Sequence, residues 1–481
     1  MAVAIAPILS AFVSVGTAVG ISAATSFFIG IAVLNVAAIA AVGAAIDYLK
    51  PDLPSVDSLA GQQLQTTKNN YSPVPVVYGE NKLAGNIIFF ETNQVISGAT
   101  NKDYWAVHVV ADGEINDYLA MYADETELTE VSSGIFTNDY VHIKVYTTSG
   151  GSGINLNSVS FVTSSAGATS TGSTLGLTNI FIPENVAFFT VHQKYDATNH
   201  PQLNNLIPIL EGKKITTITS SSTTGTATYS QNPAEQVYDI MINYLNIPSS
   251  QIDLPSFYNA KTKCNSYGYT SNISFINQTN IQAALKAILA TFRGKVAYSE
   301  GKWKLKLDEK SQSILKTLTE DDIINNSLSI SMRGFSDIAN KITVKYINPD
   351  DEYLSAEASI IDNDLVEYDG QEIEKTIDVL GCNNQTQAEK LAEITLNTLR
   401  YSEDEEGNRL KQSPIIASFA ITVKNADIEI GDVISLEHSL FSRTRKFQIL
   451  SLESDQSGII KVGAMEYCET HFKDSSGTYL I

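Results

Sequence analysis

The chain has 481 residues, 43% hydrophobic and 18% charged, with 32 Lys and Arg against 53 Asp and Glu for a net charge of −21. That length corresponds to about three ordinary domains, and 22 Tyr with 18 Phe argue for folded cores over disorder. A surface this acidic repels nucleic acid and argues against a sequence-reading DNA-binding domain, although a duplex that must slide past without sticking is a different matter.

Ala2–Ile46 carries no charged residue. A signal peptide fits poorly, because Met1–Ile5 has no Lys or Arg and the run is too long. A transmembrane hairpin needs ~20 apolar residues per span, but its flanks lack cations other than Lys50. Three readings stay open: small-residue helices buried in an assembly, with Gly16, Gly20, Gly30 and Gly43 allowing close contact; membrane insertion after a trigger; and a permanent anchor.

Asp47–Leu64, with Pro51 and Pro54, reads as a linker. Apolar runs bounded by Pro and Gly then predict strands from Ser72 to Phe90, at Tyr104–Ala111 and at Ile115–Tyr122, with Asp112-Gly113 as a hairpin turn. Val141–Tyr146 and Ile180–Tyr195 continue the β pattern. Ser149–Thr174, dominated by Ser, Gly, Thr and Asn, reads as an exposed insertion. The Ser/Thr-rich Ser220–Thr228 marks an expected boundary.

Asn232-Pro233 opens a helix through Leu245. Asn277–Thr291 is the clearest helix, with Ile281, Ala284, Leu285, Ile288 and Leu289 on one face. Val296–Tyr298 and Trp303–Leu307 flank a Glu300-Gly301 turn. Further strands are expected at Leu328–Met332, Lys341–Tyr346, Ile415–Val423, Asp432–Glu437, Arg445–Leu452 and Ile459–Tyr467, with a helix at Gln385–Tyr401. The fold class is therefore α+β, predominantly β. The expected units are an apolar helical segment at 1–50, a β-rich domain at 51–219, an α+β domain at 220–327 and a β-rich domain with one helix at 328–481.

No dinucleotide or phosphate-binding glycine motif and no nucleophile elbow is present. Cys264, Cys382 and Cys468 are too far apart for a disulfide framework or a zinc site. His108, His142, His192, His200, His438 and His471 lack metal-binding spacing. Asp321-Asp322 reads as a helix or turn start, and Glu403–Glu406 as a solvated loop. No catalytic, cofactor-binding or metal-ligating residue is assigned, which favours a structural or binding role.

The order of several segments resembles the hub core of long-tailed phage tail tips, the lambda-type host-specificity (tip attachment protein J) family. The segments are Ser72–Phe90, Asn232-Pro-Ala-Glu-Gln-Val-Tyr-Asp239, Asn280–Leu305 ending in FRGKVAYSEGKWKL, Ser331–Pro349, Leu380-Gly-Cys-Asn-Asn-Gln-Thr-Gln-Ala-Glu389 and Ile430-Gly-Asp-Val433. The likeness spans about Ser72 to Tyr467, with divergence at Asp112–Asn199; no single motif is diagnostic.

The resemblance implies a non-enzymatic virion protein, assembled in the host cytoplasm. It would form a homotrimeric baseplate hub that caps the tail tube and opens for genome ejection. Its partners would be the distal tail protein, the tape measure protein and a tail fibre or receptor-binding protein, with viral DNA passing unbound. In that family the chain continues into fibronectin-like modules, so host recognition here is expected to fall to a separate protein. Ala2–Ile46 has no counterpart in that core, and through it a host membrane contact is one reading. Two alternatives are a membrane-anchored bacterial surface or secretion-spike protein and a tail-associated cell-wall hydrolase. Deleting Ala2–Ile46 is expected to raise soluble yield, because such a run left exposed on a monomer aggregates; a full-length chain that stays monomeric at high concentration would contradict burial in an assembly.

Overall fold

The computed structural model describes residues 55–58, 73–92, 103–148, 184–196, 198, 200–310, 312–454, 458–474 and 476–481. Ala2–Ile46 and Ser149–Thr174 lie outside the described residues. The fold is α+β and predominantly β, and among the described residues no helix is long and apolar enough to cross a membrane.

The N-terminal strands are β1 (Val76–Tyr78), β2 (Glu80–Lys82), β3 (Asn86–Thr92), β4 (Asp103–Asp112), β5 (Ile115–Ala123), β6 (Thr126–Glu127), β7 (Thr129–Ser132), β8 (Ile135–Thr137), β9 (Val141–Tyr146), β10 (Val186–Lys194) and β11 (Leu206–Lys213). Among the described residues they form two sheets, β3-β4-β10-β9-β8-β7 and β2-β11-β5-β6. Ala106, Ile143 and Phe189 of the first share a core with Ile115, Met121 and Leu210 of the second, so the sheets pack face to face. Asp112-Gly113 is therefore not a hairpin turn. β4 already pairs with β3 and β10 on its two edges, leaving no edge for β5. Gly113, at φ +86°, instead carries the chain from one sheet to the other.

Ser220–Thr228 supplies the turn and second strand of a hairpin, β12 (Ile215–Ile218) with β13 (Thr224–Thr228). Threonine suits a pleated strand.

The middle of the chain is helical. α1 (Pro233–Asp239) starts where Asn232 Oδ1 accepts the Ala234 N–H at 3.0 Å, and it continues as a π-helical turn over Ile240–Tyr244. α2 (Leu254–Tyr267) was not expected: Asp253 caps it and Gly268, at φ +71°, ends it, but Phe257, Ala260 and Cys264 alone make its buried stripe. β14 (Ile273–Phe275) pairs antiparallel with β1, tying this region to the first by main chain. α3 (Ile281–Ala290) is capped by Asn280. It leads into the hairpin of β15 (Gly294–Ser299) and β16 (Lys302–Leu307). Glu300 (φ +53°) and Gly301 (φ +78°) are both left-handed, as a two-residue turn between right-twisted strands demands.

The remaining strands are β17 (Ile314–Thr319), β18 (Ser329–Ser331), β19 (Lys341–Asn348), β20 (Leu354–Ile361), β21 (Glu374–Asp378), β22 (Ser402–Glu403), β23 (Arg409–Leu410), β24 (Ile416–Thr422), β25 (Val433–Glu437), β26 (Arg445–Ser454) and β27 (Ile459–Glu466). β20-β19-β21 form a sheet under α5 (Gln385–Arg400), preceded by the short α4 (Asn363–Asp369). This layer shares one core with α1–α3 and the β15–β16 hairpin, through residues such as Val344, Leu391, Val237, Ile288 and Trp303.

The other sheet is ordered β17-β25-β26-β27-β24-β18. β17 runs beside β25, the following Ile323 bridges Ile421, and β18 continues along β24. One chain segment thus closes the sheet on itself around Leu318, Phe419, Ile434 and Phe447.

Ile288 of α3 is fully buried, whereas Leu285, expected at the centre of that face, is only half-buried. Ile288→Ala should cost about 2–5 kcal/mol in chemical denaturation and Leu285→Ala clearly less; equal costs would mean that α3 is rotated about its axis.

Candidate functional site

The described residues that carry the most specific chemistry do not converge on a reaction centre. They form three polar joints where the sheets and helices meet.

The first joint is built on two glycines. Gly79 is left-handed (φ +70°), and a Cβ there would stand 2.3 Å from Asn272 Oδ1. Asn272 accepts the Glu80 N–H at 2.8 Å and donates from Nδ2 to Asn383 Oδ1 at 2.7 Å. Its own N–H donates to the Gly381 carbonyl at 2.8 Å, and a Cβ on Gly381 would lie 2.9 Å from Thr291 Cγ2. Buried Gln387, on the first turn of α5, accepts the Thr270 N–H and donates to the Thr270 and Thr291 carbonyls at 2.9 and 2.7 Å. A side-chain amide here serves main-chain groups that would otherwise be orphaned.

The second joint holds the hairpin against the C-terminal barrel. Lys304 and Lys306 project from β16 to the loop before β25, where Lys304 meets Glu429 and Lys306 meets Glu429 and Asp432 at 2.5–2.8 Å. Beside them buried Asp308 receives Arg293 Nη2 at 3.1 Å, Lys295 Nζ at 2.6 Å and Gln448 Nε2 at 3.0 Å. Burial opposes the charge on Asp308, but the two adjacent cations hold its carboxyl below the usual range. Glu429, also opposed by burial, is drawn down to about 2 by its lysine hydrogen bonds.

The third joint links the N-terminal sheets to α1. Buried Asp239 accepts from Tyr78 Oη at 2.6 Å, Lys213 Nζ at 3.0 Å and Asn243 Nδ2 at 2.6 Å. Tyr244 donates to Asp112 at 3.0 Å. Burial, reinforced by the neighbouring carboxylates, pushes the Tyr78 and Tyr244 hydroxyls well up, so both stay neutral donors. Tyr78 and Tyr244 also line an apolar pocket of about 420 Å³ with Val76, Ile240, Phe275 and Ile281.

The three cysteines are buried and free, and burial raises their thiols; Cys382 rises to about 12. His192 stacks on Trp105 and meets Asp103 at 2.9 Å, His108 stacks on Phe189, and His200 stacks on Tyr140. Burial lowers His142 and His471 to about 4, while His438 sits beside Glu320. Among the described residues no group of three or more His, Cys, Asp or Glu is placed to hold a metal ion. Asp322 closes a capping box with Thr319. Within Glu403–Glu406, Glu403 accepts the Thr470 N–H and Asp404 holds Asn408 in a turn, while Glu405 and Glu406 are exposed.

Several segments singled out for their order thus meet in space: Tyr78-Gly79 and Gly381–Asn383 both pack on Ser271–Asn272, and the GKWKL strand meets Ile430-Gly-Asp-Val433 through Lys306. The roles of Asp239, Lys213 and Gln448 were missed; for Asp239 and Gln448 a polar residue within an apolar run was the available signal.

Residues 280–452 match a family model described as putative phage tail protein. Among curated protein sequences none matches. Among solved structures, a chain of the virion of a native gene transfer agent particle is similar at 14% identity and TM-score 0.57, covering 97% of this chain and 99% of that one. The 43 kDa tail protein of prophage MuSo2 from Shewanella oneidensis gives 10% identity and TM-score 0.30, over 82% of this chain and 97% of that one. A tail protein of Neisseria meningitidis gives 10% and 0.33, over 76% and 96%. The likeness to the virion chain extends to the whole fold; the family model covers the second joint.

Glu429 has a folded-state value below its ordinary 4.5, so it stabilises the fold above that ordinary value and loses this contribution as pH falls toward 2. Glu429→Gln should lower the melting temperature at pH 7 and flatten its acid dependence between about 4.5 and 2; an unchanged acid limb would show that the lysine contacts do not form in solution.

Proposed function

We propose that this chain is a structural protein of a phage-type tail, acting as the hub that caps the tail tube as a threefold ring. The observation that carries this reading is the second joint. The residues within the matched stretch 280–452 that look least like generic β-sheet, Lys295, Lys304, Lys306, Asp308, Glu429 and Gln448, are spent on locking one sheet against another. A rigid multi-sheet body suits a ring whose contacts must fix geometry under load. The full-length likeness to a chain from a virion supports the coarser part of this reading, a component of such a particle.

In this reading the hub joins the distal tail ring and tape measure protein above to fibres or receptor-binding proteins below, and opens to let the genome out. Recognition of the host belongs to those partners. The units at 1–50, 51–219, 220–327 and 328–481 are the pieces from which the ring is built, and Ser149–Thr174 reaches a partner or nothing. Ala2–Ile46 is buried in the assembly or enters a membrane.

A duplex carries one charge per ~1.7 Å of axis, and a basic wall would hold it by counterion release. Part of the −21 charge therefore faces the channel, with exposed Glu405 and Glu406 as candidates. A density map of the particle should show three copies around the tube axis with these carboxylates inward. Replacing both by Lys should slow genome release in a dye-release assay without changing particle yield. A lumen lined mainly by Lys and Arg, or a chain absent from the tail, would overturn the reading.

A further inference from the structure

Arg333 lies just after β18 and is 8% exposed. Among the described residues its Nη2 reaches the sulfur of Met465, at 3.3 Å, and its Nε and Nη1 meet no acceptor. Asp337 acts on it only through longer-range attraction, and burial draws its pKa down to about 10, which leaves the guanidinium charged at neutral pH. A buried cation without a hydrogen-bonded anion is costly to the isolated chain. Beside it in the chain Ile330, Met332 and Phe335 are exposed, Phe335 by 58%, on β18 and the segment that follows. The segment thus presents apolar side chains next to a buried cation.

A complementary surface lies at the other end of β24. β18 pairs with the start of β24 at Ile416, whereas Val423 directly follows its end. The strand's seven residues separate the two places by about 20 Å. There Val423 and Leu440 are 64% and 65% exposed. Ser439, next to Leu440, donates to Glu320. Asp322 is engaged by Lys424 and Asn425, while Asp321 is exposed.

We propose that these two surfaces are the two halves of one contact between copies of this chain. The Ile330–Phe335 rim of one copy packs on Val423 and Leu440 of the next, and the carboxylate of Asp321 of that copy lies over the charge of Arg333. Charge complementarity favours this pairing: the rim offers a buried cation, and the far patch offers the exposed carboxylate of Asp321 beside segments that carry exposed Val423 and Leu440. Because the patches differ and lie at opposite ends of a strand, the contact is head-to-tail, the type that forms a ring when its rotation closes. The inference rests on the ring reading above and adds the surface that makes it.

The test uses the full chain. Met332→Cys places a reactive thiol in the rim, while the three native cysteines are buried. Maleimide labelling of the Met332→Cys chain should be at least tenfold slower in the assembled form than in the dilute monomer. Asp321→Lys should raise the dissociation constant at least tenfold in sedimentation equilibrium, and Asp321→Glu should leave it near the parent value. Arg333→Met should weaken assembly similarly while leaving the monomer's melting temperature unchanged or higher, a result that a merely structural arginine would not give. If Arg333→Met fails to fold, the two surface substitutions carry the test alone. A ring that persists with undiminished labelling, or that tolerates Asp321→Lys, overturns this contact and leaves the ring reading intact. A chain that is monomeric at every concentration and absent from any threefold density overturns both.

Discussion

The carboxylate of Asp308 is buried and has to be answered. Arg293, Lys295 and Gln448 converge on it from the β15–β16 hairpin and from β26, and this requirement sets how the helical middle of the chain sits on the C-terminal barrel. Removing one member of such a buried set leaves the others unpaired, at a cost of about 3–5 kcal/mol. Sliding the hairpin by one residue would have the same effect, because alternate side chains exchange faces. The joint therefore admits one register. Lys304 and Lys306, two residues apart on β16, share the outer face with Glu429 and Asp432, so the same register satisfies an inner and an outer set together.

The other joints follow the same logic with different chemistry. At Gly79 and Gly381 the absence of a side chain is the requirement, since a Cβ at either would strike Asn272 or Thr291. Close approach then allows amides to bridge segments far apart in sequence, Asn272 to Asn383 and Gln387 to Thr270 and Thr291. At Asp239 a charged pair with Lys213 is buried among tyrosines whose hydroxyls remain neutral. Each joint ties two layers of the structure through groups that are expensive to leave unmet. A body assembled this way transmits force between its sheets without a change in their packing, which suits the hub reading.

Much of the fold was legible from periodicity and punctuation. The Asn232-Pro233 start, the amphipathic α3, the Glu300-Gly301 turn, the helix at Gln385–Arg400 and strands such as Val141–Tyr146 appear where their local chemistry placed them. These features depend on residues within a few positions of one another. α2 was not legible, because its buried stripe is narrow and the rest of its surface is polar. The hairpin reading of Asp112-Gly113 failed because a tight turn states only that the chain reverses; which edges are already occupied is settled elsewhere.

What the sequence by itself determined is therefore local: strands, helices and turns, a predominantly β composition, an acidic surface, and an ordered set of weak motifs resembling tail hubs. The tertiary structure alone decided which of those motifs touch. Gly79 and Gly381, which both pack on Ser271–Asn272, or Lys304 and Glu429, carry no mark that pairs them, because the pairing is made by main-chain paths of more than a hundred residues that bring their backbones together. The same is true of Arg333. In the sequence it is one of six arginines; only burial, which removes water while no described anion hydrogen-bonds to it, sets it apart.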